Sequence, residues 1–236
     1  MSLDAMRISN NSLTAMKIMG IAAMLVDHFN TFVNPEYNRV LFEIGRTAFP
    51  LFALVLGYNL ARVPADKMPR IMLRLLIFGA LATPIYNVLG EGLLHWWPLN
   101  ILFTLCLATT IIFLLSLPSD NRWTVPARMA AILLFAAAGC LVDYLWIGPA
   151  LVIAIWRLFS GRYEPEHIAL HAVLIGVVMG LLCLMNGSLA TLLAVPIVLL
   201  SITAYRNIRL PRMKWFFYWF YPGHLAALLW IKTFSF

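Results

Sequence analysis

Nine apolar runs follow one another along the chain, at about 13–33, 39–60, 71–90, 98–117, 127–143, 147–159, 167–185, 188–204 and 215–233. A helix needs roughly 20 consecutive apolar residues to cross the hydrocarbon of a bilayer, and most of these runs supply them. No water-soluble core could bury so many. The composition agrees, with 62% hydrophobic and 11% charged residues and a mean hydropathy of +0.86, against about 25% charge in an average soluble domain. Breakers fill the gaps: Pro64 and Pro69, Gly90 and Gly92, Pro118 and Pro126, Gly161 and Pro165, Asn186 and Gly187, and Pro211. The expected fold is an all-α polytopic integral membrane protein of about nine transmembrane helices. It forms one transmembrane domain over residues 1–236, with residues 1–12 as a cytoplasmic tail. The run at 147–159 falls short of the roughly 17-residue lower limit for a span. It either borrows residues 143–146 or is re-entrant, which would reduce the count to eight.

Charge orients these helices. Fourteen of the seventeen Lys and Arg residues fall in alternate gaps or beside them: Arg7 and Lys17, then Arg62, Lys67, Arg70 and Arg74, then Arg122 and Arg128, then Arg157 and Arg162, then Arg206, Arg209, Arg212 and Lys214. The other gaps hold Arg39 and Lys232, with Arg46 slightly inside the second run. Positive residues favour the cytoplasmic side of short loops, so the N-terminus is expected inside and, with nine spans, the C-terminus outside. The same distribution explains the net charge of +7 and the pI near 9.6 without a nucleic-acid partner, since no basic stripe forms. Cys106, Cys140 and Cys183 all lie within apolar runs, which argues against a disulfide framework or a zinc site. The first run carries Lys17, Asp27 and His28 and no small-residue cleavage site, so it is expected to remain as a helix.

Ionisable groups at membrane depth are costly and mark function. In this orientation they gather in the outer half. Asp27 and His28 come late in the first helix, and Glu43 and Arg46 come early in the second. Tyr86, Asn87 and Asn100 flank the next outer loop, Asp143 and Tyr144 end the fifth span, and His224 lies midway along the last. Asp27 and Arg46 form a candidate ion pair, and Glu43 with Arg46 is an alternative at i,i+3. Neighbours in a helix point about 100° apart, so Asp27 and His28 have different roles. His167 and His171 have metal-compatible i,i+4 spacing but no third ligand, so no metal is expected. His95, Trp96 and Trp97 read as an interfacial cluster.

These residues sit in wider patterns. The stretch Lys17-Ile-Met-Gly-Ile-Ala-Ala-Met-Leu-Val-Asp-His-Phe29, then Gly45-Arg-Thr-Ala-Phe-Pro-Leu-Phe-Ala-Leu54 and Gly57-Tyr-Asn-Leu-Ala-Arg62, resembles the TraX family of conjugative plasmids. So do Asn100-Ile-Leu-Phe103 and Phe220-Tyr-Pro-Gly-His-Leu-Ala226. The resemblance implies a bacterial inner-membrane enzyme that acetylates the N-terminal amine of a pilin subunit, with acetyl-CoA as donor. It also suggests a distant likeness to membrane acyltransferases with an essential His in an early helix, which here is His28. An outward-facing amine and a cytosolic donor require the acetyl group to cross the protein.

The chemistry of such a reaction assigns roles. The attacking amine must be neutral and the developing oxyanion needs donors in a dry site. His28 serves as the base, or carries the acetyl group itself in two half-reactions. Asp27 holds Arg46, which stabilises the oxyanion or grips the donor. Asn100 and His224 add hydrogen bonds to substrate, and Glu43 attracts the ammonium or pairs with Arg46. Two other classes stay open: a proton-coupled transporter, disfavoured by the lack of an inverted repeat, and a pilus-assembly scaffold without chemistry. The topology is directly testable. A reporter active only in the cytoplasm, fused to the C-terminus, is expected to be silent, and activity there would refute the odd number of spans.

Overall fold

The computed structural model describes residues 7–90, 97–118, 122–161, 164–211 and 214–235. Ten helices are found among them: α1 (Asn10–Phe32), α2 (Arg39–Gly45), α3 (Ala48–Leu60), α4 (Met68–Gly90), α5 (Ile101–Leu115), α6 (Thr124–Ala138), α7 (Ile147–Ser160), α8 (Pro165–Asn186), α9 (Ala194–Ala204) and α10 (Lys214–Ser235). Short 3-10 turns precede α4 and α9 and follow α6. Every apolar run is helical. Five stretches are long and apolar enough to cross a membrane: α1, Arg39–Leu60, Ala65–Gly90, Thr124–Leu141 and α8. Three shorter apolar helices accompany them, at Ile101–Leu115, Ile147–Ser160 and Leu189–Ala204. His95, Trp96, Arg162 and Arg212 lie outside the described residues.

Local chemistry sets the boundaries. Ser9 caps α1 by accepting the Ser12 amide at 3.0 Å, and Asn38 caps α2 by accepting the Val40 and Leu41 amides. The run at 39–60, expected as one helix, is two. Pro50 stands in the first turn of α3, and a proline ring clashes with the carbonyl four residues earlier, here that of Arg46. The helix breaks at Arg46 and Thr47, where the Ile44 carbonyl accepts both the Thr47 amide at 3.2 Å and the Thr47 hydroxyl at 2.8 Å. α8 closes on Gly187, whose φ of +59° suits a residue without Cβ. Its amide and that of Ser188 return to the Leu184 and Cys183 carbonyls at 3.1 Å each, a Schellman closure.

The run at 147–159 does not borrow residues 143–146. Tyr144 and Leu145 adopt left-handed φ values of 60° and 47°, a backbone that cannot extend a right-handed helix. α7 is instead one 14-residue helix, with no hairpin inside it. Leu99 and Val142 form an isolated parallel bridge beside it.

The core lies among α1, α3, α4, α5, α7 and α10, around Phe49, Ala53, Phe78, Ala82, Leu105, Ala108, Val152 and Leu225. α8 adds Met179 and Leu182 to its edge, α6 and α9 pack outside it, and the outer faces of α6 and α8 are apolar: Val125 is 69% exposed, Val173 64% and Leu184 79%. Continuous apolar surface of this kind is a liability in water and the ordinary exterior of a protein in lipid. Inside, small residues let helices approach, as bilayer packing favours. A Cβ on Gly57 of α3 would lie 2.8 Å from Ile155 Cγ2 and 2.9 Å from the Val152 carbonyl of α7. Gly57→Val is therefore expected to wedge α3 from α7 and to lower stability in detergent by about 1–3 kcal/mol. An unchanged thermal midpoint would show that this contact does not limit packing.

Candidate active site

Two consecutive residues near the end of α1 face different partners, as their 100° offset requires. Asp27 turns to the break after α2, where the Arg46 guanidinium donates to Asp27 Oδ2. Both side chains are almost buried, at 14% and 15% exposure. Phe42 supports the pair from below, with the Arg46 guanidinium 4.4 Å from its ring centre. Gly45 makes room, because a Cβ there would fall within the Asp27 carboxyl group. Asp27 Oδ1 and Arg46 Nε remain buried without a hydrogen-bond partner, a costly state that a bound ligand or water would relieve.

His28 turns to α10. Its Nδ1 lies 2.8 Å from His224 Nε2, and His224 Nδ1 lies 2.9 Å from the Phe220 carbonyl. A carbonyl can only accept, so His224 carries its proton on Nδ1 and, when neutral, presents a lone pair at Nε2. His28 Nδ1 must then be the donor. His28 Nε2 is left with the lone pair, which makes it the basic and nucleophilic atom of the pair. Packing holds this arrangement: the His224 ring lies between His28 and Phe220, nearly parallel to both, at 5.1 and 5.0 Å. Phe32 adds a tilted contact to His28 at 5.4 Å.

One cavity of about 690 Å³ joins this region to the end of the bundle where α1, α4 and α10 begin. Its far end is lined by Asp27, His28, Gly45, Tyr86, Asp143, Tyr144 and Tyr221, and its near end by Asn10, Lys17, Asn59, Lys67, Arg70 and Arg74. Ten residues of α1 separate Lys17 from Asp27, a rise of ~15 Å. Apolar side chains such as Ile21, Met24, Phe52 and Leu105 form the passage between. Arg46 and His224 are not among the lining residues and stand behind Asp27 and His28.

The other expected site residues are engaged elsewhere. Glu43 pairs with Arg39 at i,i+4 and not with Arg46. It also accepts from the Ser188 hydroxyl, while Arg39 reaches the Gly187 carbonyl at 3.1 Å, so these residues latch α2 to the turn after α8. Asn100, 1% exposed, caps α5 through its carbonyl oxygen and donates to the Gly79 carbonyl and Thr83 hydroxyl of α4 at 3.0 Å each. Both of its amide hydrogens are used. His171 Nδ1 is 2.8 Å from the His167 carbonyl, and no group of three potential metal ligands occurs among the described residues.

Asp143 and Tyr144 sit on the cavity wall, although their positions in the sequence gave them no chemical role. The Asp143 amide donates to the Leu99 carbonyl and its carbonyl accepts from the Thr104 hydroxyl, each at 2.8 Å. Its Oδ1 accepts the Tyr144 amide at 2.9 Å. Tyr144 stacks on Phe49 at 4.3 Å, and its positive φ supplies the turn that brings both side chains inward. An aromatic residue at positive φ is uncommon and worth attention, but no sequence motif announces it.

The chain matches the family described as TraX protein over residues 12–232. It belongs to the TraX family. That match takes in Asp27, His28, Arg46, Asp143 and His224. A protein TraX from Escherichia coli is 32% identical over 218 residues, covering 90% of this chain and 84% of the relative. A protein TraX from Escherichia coli strain K12 is 29% identical with the same coverage. A probable fimbrial assembly protein FimC, serogroup H1, from Dichelobacter nodosus is 27% identical over 93% of this chain and 95% of the relative. No solved structure matches.

The ion pair of this TraX family member can be dissected by substitution. Breaking a buried pair from one side leaves an uncompensated charge and costs about 3–5 kcal/mol. Asp27→Asn and Arg46→Gln are each expected to destabilise the protein strongly in a denaturant titration. The double variant is expected to lose less than the sum of the two. Additive losses would mean that the two groups act independently.

Proposed function

We propose that this chain is a nine-span inner-membrane acetyltransferase, N-terminus inside and C-terminus outside, that moves an acetyl group from acetyl-CoA to the N-terminal amine of a pilin. The observation that carries the reading is one continuous cavity lined by His28 at one end and by the starts of α1, α4 and α10 at the other. Under the charge-derived orientation, those starts face the cytoplasm. A cytosolic thioester can then reach His28 from within, while the amine arrives from the outer side. The TraX and fimbrial-assembly names of the relatives fit a pilin as the acceptor.

The transfer needs one base and one set of oxyanion donors. As the amine nitrogen bonds to the thioester carbonyl carbon, it loses a proton to His28 Nε2. The carbon–sulfur bond then breaks, and the leaving thiolate takes that proton, so His28 ends as it began. His224 works through His28, fixing the tautomer that exposes Nε2. Tyr86 and Tyr144 line the same end of the cavity and provide neutral phenol donors for the oxyanion. Asp27 and Arg46 fix α1 against the break in the second apolar run, and the spare Asp27 Oδ1 is available to the incoming ammonium.

His28→Ala is expected to insert normally and to leave pilin lighter by one acetyl group in intact-mass measurements from cells. General-base catalysis contributes roughly 10²- to 10⁴-fold, so a residual rate within that range fits His28 as base. An acetylated form of the protein itself, trapped with acetyl-CoA and no acceptor, would replace the base by the carrier route. Pilin acetylated at the parent rate by the variant would overturn the assignment of His28.

A further inference from the structure

The near end of the cavity has a charge pattern that topology alone does not explain. Of the basic residues expected on the cytoplasmic side, Lys17, Lys67, Arg70 and Arg74 line the cavity. Arg62 hydrogen-bonds Tyr58 instead, and Arg122 and Arg157 lie over the neighbouring Trp123 and Trp156. The four come from α1, from the turn before α4 and from the first two turns of α4. The two acids that line the cavity, Asp27 and Asp143, are at its other end. Neither of the two ion pairs among the described residues includes any of the four.

Placement deepens the imbalance. The first turn of α4 contains no acid, yet Arg70 and Arg74 stand at its positive dipole end, where cations are unfavourable and anions favourable. Asp66, just before it, is exposed and does not line the cavity. Two of the cations are held in place by aromatic rings of α10: Lys17 lies 4.9 Å from the Phe217 centre, and Arg74 lies 4.9 Å from that of Trp215. Lys67 and Arg70 remain exposed at the opening. Four lining cations from α1 and from the start of α4 with its preceding turn, beside a helix N-terminus and with no lining acid at that end, are the setting for phosphate oxygens. A mainly apolar passage leads ~15 Å from there to the His28 level, which suits a thin uncharged arm.

We propose that Lys17, Lys67, Arg70 and Arg74 form a polyphosphate-binding mouth that holds the head of a soluble nucleotide-type carrier while its arm extends along the passage. This rests on the acetyl-transfer reading for its carrier. Phosphate chemistry is shared with anionic lipid headgroups, so the test must separate the two sources.

The experiment is calorimetric binding of CoA, dephospho-CoA and pantetheine to the full chain in nanodiscs of phosphatidylcholine. Parent protein is expected to bind CoA most tightly, dephospho-CoA less tightly and pantetheine weakly, with CoA affinity falling as salt rises. Arg70→Gln and Lys67→Gln, both at exposed positions, are each expected to weaken CoA binding roughly tenfold or more, the scale of one charge-assisted contact, and to leave pantetheine binding unchanged. Equal binding of CoA and pantetheine, or CoA binding unaltered in both variants, overturns the proposal. So does CoA binding absent from neutral nanodiscs together with charge-dependent retention of phosphatidylglycerol, which would assign the mouth to lipid. Acetyl transfer is measured separately on the same samples. Charge-dependent CoA binding without transfer would leave the mouth standing and refute the acetyltransferase. Transfer with an unchanged KM for acetyl-CoA in both variants would do the reverse.

Discussion

A polar group carried into an apolar surround must find its partner within the protein, and this constraint shapes the whole interior. Asp27 and Arg46 meet it by pairing across α1 and the α2–α3 break. His28 and His224 meet it by hydrogen-bonding each other and passing the last donor to a backbone carbonyl. Asn100 spends its amide on α4, and Thr104 spends its hydroxyl on the Asp143 carbonyl. Each bond joins helices that hydrophobic contact alone would leave free to slide. In a medium as apolar as the side chains, such bonds and close packing carry the specificity of association.

The helix break between α2 and α3 shows how a local defect becomes useful. Pro50 disfavours a regular helix through Arg46, and the turn found there presents the guanidinium to Asp27 while Gly45 removes the Cβ that would block it. A second irregularity, the left-handed pair Tyr144 and Leu145, brings a carboxylate and a phenol to the same cavity from the far side. Both are departures from regular helix beside the end of the cavity that Asp27, His28 and Asp143 line, where tertiary contacts override local preference.

The cavity is polar at both ends and apolar between them, with opposite charge at its two ends. That polarity gives a bound molecule a direction. An anionic head is favoured at the starts of α1 and α4, a cationic group at the level of Asp27 and Asp143, and the uncharged passage between disfavours charge of either sign. His224, 6% exposed and outside the lining, meets the cavity only through its hydrogen bond to His28.

The order of residues along the chain was enough to determine helix class and the position of every apolar run, because periodicity and breakers act over a turn or two. It was also enough to suggest that Asp27 and Arg46 are partners, since both are ionic and come at similar depth on adjacent runs. Partner choice across many residues was not legible. Glu43 had two cations within reach of its own helix, and Ser188, 145 residues away, helped decide for Arg39. Asn100 looked available until α4 packed against it. His28 and His224, 196 residues apart, were separate candidates until α10 docked beside α1. The cavity and its division of charge exist only once α1, α3, α4, α5 and α10 enclose it, because an empty volume is a property of packed surfaces and has no local code.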